Sequence, residues 1–394
     1  MKKQLFLVSL LSVLLLTGCN GANNPSEKSV APQPSSEPEV EEPEIVIPDE
    51  IPAEQPENDI HTELQWSYIA DPDWTNVKAY IPTTNASGKS LGNLSAPKGT
   101  KFELDVDDAD EYFFQIDETK DFGSPRQFKV SEKEVNVYNL EIGRNYYYRA
   151  AVSEEALAEA EVKQYRVYGA APRNLLVDGV INFRDVGGWK SDLVEGGYVA
   201  QGMYYRCAQF NSITADGLAE IARLNIKVDI DMRDSYNVPA TSPISTTEHP
   251  VEILKASVAS STESGRWEGD HSRDHNIAAT YKSIFEAIAV ADEKPIALHC
   301  THGADRTGIV SFFLLALCGV SKEDLGKDYM FTRYAGERDV WHEDEFDGWV
   351  SKTEALEGET FADKTYNHLL NDFHIEADTL ETIRELFVPG YERA

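Results

Sequence analysis

Between about residues 64 and 167, apolar and polar positions alternate over short runs separated by polar breaks. Val77–Ile81, Lys101–Val106, Tyr112–Ile116, Phe128–Val130 and Tyr146–Val152 alternate or nearly alternate with the period of two expected of a half-buried strand. Short strands with turn signals between them predict a small β-sandwich. After Tyr165–Tyr168 the pattern changes. Asp216–Leu224 has helical spacing, with Thr214 placed to cap its start. Ile226–Met232 reads as a strand, Ile277–Ala291 as an amphipathic helix, Lys294–His299 as a strand and Ile309–Cys318 as a long apolar helix. This order predicts an α/β unit with a central, mostly parallel sheet flanked by helices.

The ends of the pattern add a different message. Met1-Lys2-Lys3 precedes an apolar run, Leu5–Leu16, that is too short to span a membrane comfortably and reads as a secretory signal. Leu16-Thr17-Gly18-Cys19 resembles the bacterial lipobox. That resemblance implies cleavage before Cys19, a lipid on its thiol, and an extracytoplasmic protein held at the bacterial membrane. From Asn20 to about Ile60 the chain has Pro25, Pro32, Pro34, Pro38, Pro43, Pro48, Pro52 and Pro56 among many Glu and Ser. Such a stretch cannot bury enough surface to fold, and it predicts an extended tether. The expected layout is a signal peptide over 1–18, a tether over 19–61, a sandwich over 62–167 and a catalytic domain over 168–394.

Charge narrows the possible partners. The net charge of −32 and pI near 4.6 leave no basic stripe for nucleic acid. An acidic surface also repels anionic substrates, so a phosphate site must build its own local positive field. Beyond Cys19 the cysteines are Cys207, Cys300 and Cys318, too few and too odd for a disulfide framework.

Cys300 stands apart because of its surroundings: Lys294-Pro-Ile-Ala-Leu-His299-Cys300-Thr301-His302-Gly303-Ala304-Asp305-Arg306-Thr307-Gly308. A strand feeding a loop that opens a helix points several N–H groups at one anion-sized space. Loop amides, Arg306 and the adjacent His299 favour a thiolate at Cys300, the form that attacks phosphorus. The amides of Thr301, His302, Gly303, Ala304, Asp305 and Arg306, with the Arg306 fork, suit the equatorial oxygens of a transferring phosphoryl group. Thr307 can donate to the departing sulfur, and Asp305 is the nearest acid for an alkoxide leaving group. Two further readings of the same loop are a rhodanese-like sulfur carrier and a cradle that binds phosphate without turnover.

His299-Cys300-x5-Arg306-Thr307-Gly308 resembles the protein tyrosine phosphatase signature. The fuller form, with Gly303 and Asp305, resembles the bacterial branch of secreted tyrosine and lipid phosphatases. Three more blocks carry the likeness: Asn182-Phe183-Arg184-Asp185-Val186-Gly187-Gly188, Met203-Tyr204-Tyr205-Arg206-Cys207-Ala208-Gln209, and Asp229-Ile230-Asp231-Met232-Arg233. The resemblance implies a phosphocysteine intermediate, Asp305 as the acid, Arg184, Asp185 and Arg206 near the site, and no metal or cofactor. Substrates would be phosphorylated proteins, with lipids or small molecules as alternatives. Members of the branch often carry Lys where this chain has Ala304, a change that bears against lipid substrates. Arg184, Arg206, Arg233 and Lys255 are the cations that could restore charge at the rim. Asp270 and Asp274 precede the catalytic strand and are the alternative acids. Val137–Arg149 resembles the end of a fibronectin type III domain, and Val340–Trp349 reads as an acidic, aromatic surface insertion.

Overall fold

The computed structural model describes residues 58–71, 93–258, 267, 277–290, 295–335 and 343–393. The expected signal peptide, Cys19, nearly all of the expected tether, the strand Val77–Ile81, Asp270 and Asp274 lie outside these residues. Among them, no helix is long and apolar enough to cross a membrane.

The described chain starts with a helix, α1 (Glu63–Ile69), closed by a capping box between Thr62 and Gln65. Its Tyr68 and Ile69 enter the large core of the C-terminal region, and the Tyr68 hydroxyl donates to the Lys327 carbonyl at 2.9 Å. Ile60 and His61 just before it are also buried. Packing therefore begins before residue 62, and α1 sides with the C-terminal core rather than with the strands that follow. The proline-rich composition that marked the tether simply ends a few residues earlier.

Six strands come next: β1 (Thr100–Glu103), β2 (Tyr112–Asp117), β3 (Arg126–Val130), β4 (Glu134–Val137), β5 (Asn145–Ala151) and β6 (Lys163–Arg166). β1 pairs antiparallel with β4, and the other four form an antiparallel sheet in the order β3-β2-β5-β6. Phe102, Phe114, Val135, Val137 and Tyr146 from both sheets share one apolar cluster. The alternation seen in the sequence is thus the inward and outward face of each strand.

The C-terminal region is built on a six-stranded sheet made from β7 (Arg173–Asn174), β8 (Arg184–Asp185), β11 (Tyr204–Cys207), β12 (Val228–Asp231), β13 (Glu252–Lys255) and β14 (Ile296–His299). A small ribbon, β9 (Lys190–Ser191) with β10 (Gly197–Tyr198), stands apart from it. The order is β13-β12-β14-β11-β8-β7, with the first four strands parallel, β8 antiparallel to β11 and β7 antiparallel to β8. β14 comes last in the chain yet lies in the middle. Ile296 and Leu298 point into one apolar layer and Ala297 into the other, which explains a strand apolar on both faces. In such sheets the space beyond the carboxyl end of the central strand, where the chain order reverses, is where ligands bind.

Helices close both faces. α2 (Ala215–Arg223), capped by Thr214, covers one. The other carries α3 (Ile277–Ala289), α4 (Asp305–Leu317), α5 (Lys322–Phe331), α6 (Glu343–Glu354), α7 (Phe361–Asn371) and α8 (Ala377–Phe387). α4 is apolar all round because it lies at the centre of this layer, packed by α5 and α7. It starts four residues earlier than the apolar run predicted, since Asp305–Gly308 form its polar first turn.

One expectation about this layer is overturned. The acidic, aromatic stretch ending at Trp349 is not a surface insertion over its described part. Phe346 and Trp349 on α6 are buried against Phe312 and Tyr329. Even the acidic Glu345 is buried there, accepting from the Tyr329 hydroxyl at 3.3 Å, and of its described acidic neighbours on α6 only Asp347 faces outward.

Candidate active site

β14 delivers His299 and Cys300 to the carboxyl end of the sheet, and the loop 301–304 turns directly into α4. The turn needs glycine at 303. Its φ is +70°, and a Cβ there would lie 2.2 Å from the Cys207 carbonyl oxygen. Gly308 is needed for a different reason, because a Cβ would press within 2.7 Å of the Tyr329 ring.

Cys300 is almost enclosed at the floor of this loop. Burial alone would push its thiol up. Arg306, the Thr307 hydroxyl and the N–H groups of Ala304 and Thr307 outweigh it and hold the thiol below its ordinary value. Among the described residues, the buried Thr307 hydroxyl has no partner besides that sulfur. The other two described cysteines behave oppositely. Burial pushes Cys318 up to about 12 and Cys207 well above its usual value. Among the described cysteines, therefore, only Cys300 is placed as a thiolate.

Arg306 lies in the first turn of α4. Its Nη1 donates to the carbonyls of Met232 and Val258, both at 3.1 Å, just past the ends of β12 and β13. Those two bonds fix the plane of the guanidinium and leave Nε and Nη2 as the edge suited to phosphate oxygens. Asp234 Oδ1 lies 3.9 Å from Nη1. Asp305 is the first residue of α4 and only half-buried, so its carboxylate lies at the positive helix end and near the mouth of the loop.

His299 sits below the loop. Its Nδ1 is 3.0 Å from the Cys300 carbonyl oxygen, and its Nε2 is 3.0 Å from Asp229 Oδ1 and 3.7 Å from Asp231 Oδ2. Burial pulls this imidazole down, but Asp229, Asp231 and the Cys300 carbonyl together raise it above the ordinary histidine value. Asp229 in turn accepts from Ser242 Oγ at 2.6 Å. His299 acts on Cys300 through its backbone rather than through the sulfur.

The predicted neighbours are not all neighbours. Asp185 is held away from the loop by Arg173 and by the amides of Gly187 and Gly202. Arg206 does reach the loop, from behind, and Arg184 reaches it through Asn182. Both are fully buried and share Asp328, with Arg184 Nε 2.9 Å from Oδ1 and Arg206 Nη1 2.5 Å from Oδ2. Arg206 Nη2 donates to the Gly303 carbonyl at 3.0 Å. Arg184 Nη1 donates to Asn182 Oδ1, and Asn182 Nδ2 donates to the carbonyls of His302 and Gly303 at 3.0 and 3.1 Å. Arg233 is paired with Asp231 at 2.6 Å. None of these three arginines is available as rim charge, whereas Lys255 is exposed at the end of β13.

A family model described as the tyrosine phosphatase family matches residues 175–387, more than half of the chain. The chain belongs to the tyrosine phosphatase family. Within this tyrosine phosphatase fold the match takes in every loop residue described above. A curated relative, a tyrosine-protein phosphatase from Nostoc commune, is 26% identical over 148 residues, covering 33% of this chain and 48% of its own. The chain thus spans about half the length of the curated relative it matches. Two solved structures of P. aeruginosa TpbA are also similar, one of a variant in complex with pTyr. The first covers 41% of this chain and 86% of its own at 18% identity, the second 42% and 89% at 19%, both with a TM-score of 0.27.

Asp328 and Asn182 are the site residues that the sequence did not single out by role. Asn182 was visible only as part of a motif, although its φ of +57° marks a constrained position. Asp328 lies among Glu323 and Asp324 on an ordinary-looking helix, and its partners are 122 and 144 positions away.

Proposed function

We propose that this protein is a cysteine-dependent phosphomonoester hydrolase acting on phosphotyrosine or dual-specificity protein substrates. The observation that carries the reading is Cys300 itself: a buried thiol lowered by a fixed guanidinium and by amides aimed at its sulfur. Burial without those groups would make it inert, as it does Cys207 and Cys318.

The chemistry follows from the geometry. The Cys300 thiolate attacks phosphorus, forming an S–P bond as the ester O–P bond breaks. Arg306 and the loop amides hold the three equatorial oxygens. Asp305 gives a proton to the leaving oxygen. Water then attacks the phosphocysteine, losing its proton to Asp305, while the Thr307 hydroxyl steadies the departing thiolate. Each role uses only groups of this chain, and no metal or cofactor is needed.

Two features favour a singly phosphorylated group over a multiply charged headgroup. Ala304 is fully buried and shows no side chain to the mouth. Among the described residues, Asp234 Oδ1 lies 3.9 Å from Arg306 Nη1 and Asp305 adjoins Arg306 in the chain, so carboxylates stand beside the guanidinium. Comparison of phosphotyrosine peptides, phosphoserine peptides, inositol phosphates and phosphoinositides by kcat/KM tests this. A preference for phosphoinositides over every peptide would overturn the substrate assignment but not the reaction.

Arg306→Lys keeps the charge but loses the fork. Turnover of an aryl phosphate should fall by about 10²-fold, the usual cost of one oriented donor in the transition state. Circular dichroism and thermal melting should remain close to wild type, because Arg306 is a half-buried side chain at a helix start. An unchanged rate would remove Arg306 from the site.

The N-terminal sequence supports an exported, lipid-anchored protein, with the strands of residues 100–166 as a fibronectin III-like spacer between anchor and enzyme. Labelling of cells with a radioactive fatty acid should mark the wild-type chain and not Cys19→Ser. Equal labelling of both would rule out the anchor.

A further inference from the structure

The phosphate loop is held from behind in a way that explains why its amides point forward. Across a trans peptide, the carbonyl of one residue and the N–H of the next point in opposite directions. The carbonyls of Thr301, His302 and Gly303 are all engaged on the outer side of the loop. Thr301 O accepts from Gln209 N at 3.2 Å, and His302 O from Asn182 Nδ2 at 3.0 Å. Gly303 O accepts from Asn182 Nδ2 at 3.1 Å and from Arg206 Nη2 at 3.0 Å. The N–H groups of His302, Gly303 and Ala304 must then face inward, and the Ala304 N–H does meet the Cys300 sulfur.

What sets the donors in place lies one layer deeper. Asn182 can face the loop with its NH₂ only if its oxygen has a donor on the other side. Arg184 Nη1 is that donor, and a guanidinium has nothing but donors to offer. Arg184 is itself fixed by Asp328, through Oδ1 at 2.9 Å and the Asp328 carbonyl at 2.8 Å, with Thr332 Oγ1 at 3.1 Å. Arg206 is fixed by the other carboxylate oxygen at 2.5 Å. Two buried guanidiniums next to each other would repel. Burial and Arg206 already pull Arg184 down to about 10. Asp328 is the carboxylate that lets both stay, and burial notwithstanding, the two arginines hold it ionised below its ordinary value.

We infer that Asp328, on α5, is the positioning residue of the phosphate loop: it orients Arg184 and Arg206 so that Asn182 and Arg206 grip the His302 and Gly303 carbonyls and turn the following amides into the cradle. It touches neither substrate nor sulfur. The inference rests on the reading of Cys300 as the nucleophile. Its consequence is that a residue outside the loop should tune both the thiol and oxyanion affinity.

The test reads the thiol directly, through the pH dependence of Cys300 alkylation by iodoacetamide in the full chain, together with inhibition by inorganic phosphate. Asn182→Gly removes the grip on the carbonyls while tolerating the left-handed backbone at 182. Asp328→Asn breaks the shared carboxylate. Where Asp328→Asn fails to fold, Asp328→Glu, which keeps the charge and displaces the carboxylate, takes its place. Neither substitution alters Arg306, Thr307 or Cys207, the other groups coupled to the sulfur. Each variant should raise the alkylation midpoint by about one pH unit, as expected for losing a hydrogen bond to the charged form. Phosphate inhibition should weaken about tenfold. Because the residues act in series, the double variant should be no worse than the more severe single one. Ser191→Ala, which removes a buried bond to the Cys318 carbonyl, serves as the control for lost stability alone and should leave the midpoint unchanged.

Wild-type midpoint and phosphate affinity in folded Asn182→Gly and Asp328 variants would overturn the inference. Shifts that simply add in the double variant would do the same. A wild-type Cys300 that titrates like an ordinary thiol would instead overturn the nucleophile reading beneath it, so the two failures are distinguishable.

Discussion

Cys300→Ser should abolish turnover of an aryl phosphate, with a loss on the order of 10⁴- to 10⁶-fold, while inorganic phosphate still binds. A serine hydroxyl in the same cradle would have to ionise to attack, and the groups that lower the Cys300 thiol act over a span that suffices for sulfur but not for an alcohol. The oxygen is also smaller and would sit farther from phosphorus at the floor of the loop. Arg306 and the loop amides are untouched by the change, so binding of the anion persists. Steady-state rates with an aryl phosphate and inhibition by phosphate, measured on the same preparation, check both halves. Rapid acid quench with a labelled phosphate ester adds a third readout, since the wild type should trap label on Cys300 and the variant should not. Because Cys300 is lowered in the folded protein, wild-type kcat/KM should fall as pH drops through the shifted thiol value, as the nucleophile takes up its proton. Retained turnover in Cys300→Ser would sink the cysteine mechanism and leave the loop as a binding cradle.

How much of this was legible beforehand depended on the distance over which each feature is encoded. The nucleophile loop is local: strand, cysteine, glycine, arginine and helix fall within fifteen consecutive residues, and the β14–α4 geometry follows from their order. Strand alternation was likewise local, and β1, β2, β3 and β5 lie close to where the pattern put them. β6, Lys-Gln-Tyr-Arg, has one apolar position in four and does not stand out, while β4, Glu-Val-Asn-Val, alternates over only four residues. The support behind the loop is a different case. Asp328, Arg184, Arg206 and Asn182 converge from three elements, and no spacing rule joins them. Buried charges of this kind look like surface charges in a sequence, because only the folded partner shows that they are paired. Trp349 is the mirror-image case. Glu345 and Asp347 give its stretch a surface composition, yet Glu345 is itself buried and the indole fills the core beside Phe312 and Tyr329.

The acid is the role on which sequence and geometry bear most differently, and Asp305→Asn is expected to separate the candidates by leaving group. Asp305 is adjacent to Arg306 and opens α4 at the lip of the loop, half-exposed, where a leaving oxygen would emerge from the cradle. A general acid contributes about 10²- to 10⁴-fold when the leaving group is a poor one. Alkyl phosphates and phosphoserine peptides, which depart as alkoxides, should therefore lose activity on that order in Asp305→Asn. An activated aryl phosphate, whose phenolate needs little help, should lose less than about tenfold. The split matters because helix-end electrostatics would predict something else. Removing a negative charge from the first turn of α4 costs some stability and strengthens the local positive field, and both effects act equally on all substrates. A uniform change across leaving groups would thus mark Asp305 as a charge at the helix end and move the acid to Asp270 or Asp274. A loss that grows with leaving-group pKa, seen as a steeper slope of log kcat/KM in the variant than in the wild type, would fix Asp305 as the proton donor.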